Sequence, residues 1–220
     1  MTIVEELGRR ERKRLQMVAH LVGVAARLFE TQPYESVTME QIALDADVAK
    51  RTLYNHFPTK EALLAHWMEA TLKRDLERLQ PELARRRGFA QRVAVELEAS
   101  AEWCQRYPAH LAAYLRHRFL SMGEAAPQPR APSSDSDRGD ITVLWHALIV
   151  DAQAQGELTD RYSALQLTTW FHHLYLGTLM RWLMKPTVSL QEEFAQMVTL
   201  FMEGAAVRAA QAKPLPRSKN

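Results

Sequence analysis

Between Ala49 and Phe57 the chain sets Lys50, Arg51, Thr52, Tyr54, Asn55 and His56 almost in succession. Each of these side chains has a use against a polyanion or a base edge. Lysine and arginine donate to guanine O6 and N7 or to phosphate, asparagine pairs with adenine through two hydrogen bonds, and threonine offers a hydroxyl and a methyl group. Hydroxyl and ammonium groups at Thr38, Tyr54 and Lys60 suit phosphate, which fixes position without reading sequence. A basic run, Arg9, Arg10, Arg12, Lys13 and Arg14, comes first and is expected to reach flanking phosphates or a minor groove. Overall charge adds little. The 28 basic residues stand against 26 acidic ones, so affinity for nucleic acid has to come from a local patch.

A second set is aromatic and imidazole: Trp103, Tyr107, His110, Tyr114, His117, Trp145, Trp170 and His173. Ring faces stack on planar molecules and attract cations, so these residues are expected to line a pocket for a flat apolar or cationic small molecule. Ordinary core packing competes with that role at every one of them. No metal set is expected. His172 and His173 point about 100° apart on a helix, and His110 and His117 lie about two turns apart. Cys104, the only cysteine, can form no intramolecular disulfide or thiolate cluster, and only Arg106 stands near it in sequence to lower its pKa. Glu-x-x-His pairs, which a di-iron helical bundle needs, are missing, and no paired acid and base or nucleophile triad stands out. No enzyme and no cofactor are therefore expected.

The elements that position these residues read as helices. The chain has 10 prolines, and the stretches between them show apolar residues at helical spacing rather than alternating β-branched runs. A first helix is predicted from about Glu11 to Thr31. Thr38, with Gln41 three residues on, has the form of a capping box and starts a short helix to Asp45; another runs from about Ala49 to His56. A long helix from about Thr59 should end near Pro81. Further helices are predicted at about 89–106, 108–122, 140–156, 161–185 and 189–210, nine in all. The stretch 123–139 is rich in Pro, Ser and Asp and reads as a mobile loop, and 211–220 as a flexible tail.

Two short helices joined by a tight turn and braced by a longer one form a helix-turn-helix, whose second helix enters the DNA major groove. The expected organisation is an all-α chain with a DNA-binding unit at 9–58 and a larger helical unit at 59–210. In the larger unit, residues 170–184 are apolar nearly all round and must be covered on both sides. The following helix, capped by Ser189 with Glu192, presents Phe194, Met197, Val198, Phe201 and Ala205 as one stripe. A hydrophobic fraction of 47% with 25% charge is ordinary for a globular protein. With one cysteine, no signal-like start and no uncharged run of roughly 18 residues apolar enough for a membrane helix, a cytoplasmic protein is expected.

The segment LVGVAARLFETQPYESVTMEQIALDADVAKRTLYNHFPTKEALL resembles, without a gap, the DNA-binding signature of the TetR/AcrR family. The likeness lies in the Ala-Ala-x-x-Leu-Phe-like end of the first helix, Tyr34, Thr38, Ile42-Ala43, Ala46, Val48, Thr52-Leu53-Tyr54, Phe57 and Lys60-Glu61. It implies a homodimer that pairs the stripe of the last helix with its symmetry mate, binds palindromic double-stranded DNA, and is released as a repressor by a small-molecule effector. Control by a protein partner remains an open alternative. Three positions depart from the family pattern. Pro33 and Asp47 stand where glycines are usual and Ala49 where a capping serine is common, and Asp47 is expected to serve both as turn and as cap.

Overall fold

The computed structural model describes residues 8–120 and 141–205, apart from the side chains of 119 and 120. The segments 123–139 and 211–220 and the end of the last predicted helix lie outside the described residues. Among those described, regular structure is helical throughout: α1 (Arg9–Thr31), α2 (Met39–Asp45), α3 (Lys50–His56), α4 (Lys60–Leu83), α5 (Phe89–Arg106), α6 (Pro108–Leu120), α7 (Ile141–Ala154), α8 (Ala164–Met184) and α9 (Leu190–Ala205), with a 3-10 turn at Tyr34–Ser36.

Several helices start on a capping side chain. Thr59 opens α4 by accepting from the Ala62 amide at 3.1 Å. That helix runs past its predicted stop, because Pro81 sits exposed in the last turns, where it removes one amide donor without ending the turn. The start of α8 falls later than 161. Ser163 and Gln166 form a full capping box there, with the Gln166 amide donating to Ser163 Oγ and the Ser163 amide to Gln166 Oε1. Gly88 precedes α5 at φ 73, and the Phe89 amide donates to Glu157 Oε2 at 2.8 Å, so a distant carboxylate caps this helix.

Two apolar cores result. One gathers Leu21, Phe29, Ile42, Leu53, Leu63, Leu64 and Trp67 from α1 to α4. The other gathers Phe89, Leu97, Trp145, Ile149, Phe171 and Phe194 from α5 to α9. Each fully buried leucine or phenylalanine contributes about 1.5–3 kcal/mol of transfer free energy. The long helix α4 serves both cores: its first turns complete the small one, while Leu72 packs on the large one, and Trp103 and Tyr114 touch both. A boundary at 58/59 thus precedes a helix that the two units share.

The stripe on α9 faces inward, which corrects the expectation that it meets a second copy. Phe194, Met197, Phe201 and Ala205 are buried within one chain, and Val198 is half-buried. Phe194 stacks on Tyr175 with centroids 5.3 Å apart, and Phe201 meets Phe171 at 5.0 Å. Periodicity marks an apolar face without saying which neighbour covers it, and here α5 and α8 do so. The apolar side chains left exposed on α8 and α9 are Trp170, Met180, Met184 and Leu200, among others. The apolar circumference of α8 is therefore covered on only one side by its own chain.

Candidate nucleic-acid interface and inner cavity

The reading helix is set by its inner face and by the turn before it. Leu53 and Phe57 anchor α3 in the small core. Thr38 starts α2 by accepting from the Gln41 amide at 3.1 Å, leaving its hydroxyl hydrogen free to donate outward. Asp47 has φ 50, the left-handed value that the usual glycine would supply. The capping half of its expected role is not seen. Ala49 is the N-cap of α3, and no side chain bonds there.

This packing turns Lys50, Arg51, Tyr54 and Asn55 outward on one face, with Thr52 and His56 half-buried at its edge. Lys50 Nζ lies 3.4 Å from Glu40 Oε1, an exposed pair that water and phosphate can readily exchange. Lys60 behaves differently from expectation. Its ammonium donates to the carbonyls of Tyr34 at 2.8 Å and Val37 at 2.9 Å and sits 4.0 Å from the centroid of the Tyr34 ring. Its charge is spent tying the 3-10 turn to α4, so it is not offered to phosphate. The Tyr34 hydroxyl donates to Glu61 Oε1 at 2.9 Å and strengthens the same clasp. Arg9, Arg10, Arg12, Lys13 and Arg14 are exposed on the first turns of α1 rather than on an extended arm, and Arg14 is paired with Glu11.

A cavity of about 160 Å³ opens between α4, α5, α6, α7 and α8. Of the aromatic set, Trp103 and Tyr114 line it. The other assignments are corrected. Tyr107 and His110 join a cluster between the two cores, where the His110 ring lies 5.8 Å from Phe29, 5.9 Å from Trp67 and 5.3 Å from Tyr107. Burial lowers the His110 pKa, which keeps the ring neutral. His117 is half-buried on α6 away from the cavity wall. Trp145 is core, and Trp170 and His173 face outward, Trp170 packing edge-on against Tyr162 at 4.9 Å. His172, one residue and about 100° away, is the imidazole that reaches the cavity.

The polar lining was not singled out from sequence. Glu96, Ser100, Cys104, Thr71 and Tyr175 all contribute. Glu96 accepts from Trp145 Nε1 at 3.0 Å, and burial, opposed by that bond, pushes its carboxyl up to about 8, so it carries a proton at neutral pH. Ser100 Oγ and the Tyr175 hydroxyl lie 2.7 Å apart. Burial also pushes the Cys104 thiol up to about 12, which removes the thiolate that a redox sensor needs. A signal was present in the sequence: Glu96 falls on the inward stripe of α5, three residues after Val93 and one before Leu97, where an unpaired acid is out of place. Among the described residues, no group of three or more His, Cys, Asp or Glu side chains could hold a metal, and no helix is long and apolar enough to cross a membrane.

The family model for bacterial regulatory proteins of the tetR family matches residues 21–66, from α1 into α4. The HTH-type transcriptional regulator EthR of Mycolicibacterium smegmatis is 32% identical over 56 residues, which is 26% of this chain and 26% of that relative. Likeness of fold extends much further. The structure of Thermus thermophilus FadR, a TetR-family transcriptional repressor in complex with lauroyl-CoA, is 25% identical, with 89% of this chain and 98% of that chain covered at a TM-score of 0.66. A tetR-family transcription regulator structure from Shewanella sp. PV-4 is 26% identical, with coverage of 87% and 99% and a TM-score of 0.55. RolR in complex with resorcinol shares the fold alone, at 19% identity, 93% and 97% coverage and a TM-score of 0.66. The family model thus covers the helix-turn-helix and its supports, and likeness of fold to tetR-family regulators continues over the rest of the chain.

Proposed function

We propose that this protein is a cytoplasmic, homodimeric transcriptional repressor that binds a palindromic DNA operator and is released by a small molecule held in the inner cavity. The observation that carries the DNA-binding reading is the outward face of α3, where Lys50, Arg51, Tyr54 and Asn55 stand together on a helix fixed by Leu53 and Phe57. Arg51 and Asn55, exposed one turn apart on α3, suit base edges. Lys50, Thr38, Tyr54 and the helical basic run of α1 suit the flanking phosphates, with Thr52 and His56 at the margin.

Dimerisation is supported by the exposed apolar side of α8 and α9, since Trp170, Met180, Met184 and Leu200 on adjacent helices would be covered by a second copy related by a two-fold axis. Two reading helices related by that axis call for a palindromic site. The largely apolar, concave wall of the cavity favours a small ligand over a protein partner as the controlling input.

Selection of bound sequences from a random duplex DNA pool tests this reading. Enrichment of a palindrome, bound more weakly as salt rises, is the expected result. Failure to enrich any sequence, with protein freed of small molecules by unfolding and refolding, would overturn it.

A further inference from the structure

Charge divides the cavity wall unevenly. Glu69, Asp75 and Glu96 all line it, and no lysine or arginine does. The three acids are graded in exposure: Glu69 is exposed, Asp75 half-buried and Glu96 only 2% accessible. Arg78 approaches Asp75 at 3.9 Å and Arg74 approaches Thr71 at 3.5 Å, both as exposed side chains of α4. The groups around Glu96 itself are Ser100 and Cys104 of α5, Trp145 of α7, and Tyr175 and His172 of α8. Trp103, Tyr114 and Tyr175 supply ring faces, and most of the remaining wall is aliphatic, from Leu72, Leu76, Leu111 and Leu179 among others.

An anionic ligand entering here would bring its charge among carboxyl groups with no lysine or arginine in the wall to balance it. Small hydrated cations are poorly served too, because the apolar wall cannot replace their water. An organic cation meets neither obstacle. It is weakly hydrated, its body matches the rings, and its charge gains both a carboxylate and aromatic faces. We infer that the cavity takes an organic cation with an aromatic body, and that Glu96 is its counter-charge. This rests on reading the cavity as the effector site. Buried Glu96 holds its proton in the folded chain, so arrival of a fixed cation converts the carboxylic acid to a carboxylate and releases one proton to solvent, keeping charge in balance.

Three probes that share one ring system separate the possibilities: 1-naphthylmethyl-trimethylammonium, 1-naphthalenemethanol and 1-naphthoate. Titration calorimetry with the full chain, without DNA, at pH 7 is expected to show the ammonium binding at least about tenfold tighter than the alcohol, with the naphthoate weakest. Repeating the ammonium titration in buffers of different ionisation heat should reveal proton release. Glu96→Gln should weaken the ammonium by at least about tenfold, hold the alcohol within about threefold, and abolish the proton release.

The inference is overturned if the alcohol or the naphthoate binds best, if Glu96→Gln leaves the ammonium unaffected, or if none of the probes binds. The ranking and the proton release are read on the unmodified protein, so they stand even if the variant folds poorly. An enriched palindrome beside a failed ranking would reject the cation and leave the regulator intact. The reverse pair of results would reject the regulator.

Discussion

Trp103 and Trp67 lie with their ring centroids 6.1 Å apart, and they join the two cores of the molecule. Trp103 lines the cavity. Trp67 lies 5.6 Å from Phe29 of α1, whose ring is in turn 5.8 Å from Tyr34, and the Tyr34 carbonyl accepts from Lys60. A ligand that displaces the Trp103 ring therefore pushes on the helix that braces the reading unit. Packed rings have few alternative arrangements, so such a push is transmitted as a shift of whole helices rather than absorbed locally.

Truncation of Trp103 should uncouple the two sites. A coupling of about 1–3 kcal/mol is the usual range for a ligand switch. In Trp103→Ala, the change in operator affinity on saturation with a cavity ligand is expected to shrink by at least about fivefold. Affinity without ligand should stay within about threefold of the original. Operator titrations with and without ligand measure both quantities. An undiminished ligand effect would show that the signal takes another route.

Arg51 and Lys60 should fail in different ways although both are cationic and near the reading face. Arg51 is exposed, so Arg51→Ala should cost at least about 1 kcal/mol of operator binding while leaving thermal stability unchanged. Lys60 instead satisfies two carbonyls, and Lys60→Met should lower unfolding free energy by about 1–3 kcal/mol before any DNA is added. Denaturant unfolding beside operator titration distinguishes them. A Lys60 variant of full stability with a reduced salt slope would restore that lysine to a phosphate contact.

These two residues also mark what could be read from the chain. The helix-turn-helix was legible because its determinants are local: Thr38 and Gln41 announce a cap, Leu53 and Phe57 an inner face, and the cationic residues fall on the opposite side. Lys60 was misread because the carbonyls of Tyr34 and Val37 reach it only through the folded turn. The cavity was harder still. A shift of one residue, from His173 to His172, turns a side chain from solvent to the interior, and no spacing rule fixes that register. The α9 stripe was found correctly as an apolar face, but the face that meets a neighbour in the same chain and the face that would meet a second copy differ only in packing.

The protonated state of Glu96 carries a stability signature. Its pKa is raised from 4.5 to about 8 in the folded chain, so the folded state binds the proton more tightly than the unfolded one. The stability this group contributes is fully present below pH 4.5 and is lost as pH rises through about 8, as the unfolded chain binds fewer protons across that window. Wild type should therefore lose stability relative to Glu96→Gln between about pH 5 and pH 8, by on the order of a few kcal/mol. Urea unfolding of both proteins at several pH values measures the gap. A gap independent of pH would place the carboxyl in a more polar setting than its neighbours provide.

Adjacent residues on α9 offer the sharpest test of the proposed contact between two copies. Phe201 is 6% exposed and packed on Phe171 and Phe89, whereas Leu200, turned about 100° away, is 61% exposed. A carboxylate at 201 would enter the core without a partner, so Phe201→Glu should destabilise the fold itself, by at least about 3 kcal/mol, with loss of helical signal on mild heating. A carboxylate at 200 would stay in water in one chain and be buried against its own symmetry mate in a dimer. Leu200→Glu is therefore expected to remain fully helical and run as a monomer, with operator binding weakened because each half-site must then be held separately. Light scattering and circular dichroism on the two variants decide the matter. If Leu200→Glu remained a stable dimer, the contact between copies would lie away from this part of α9.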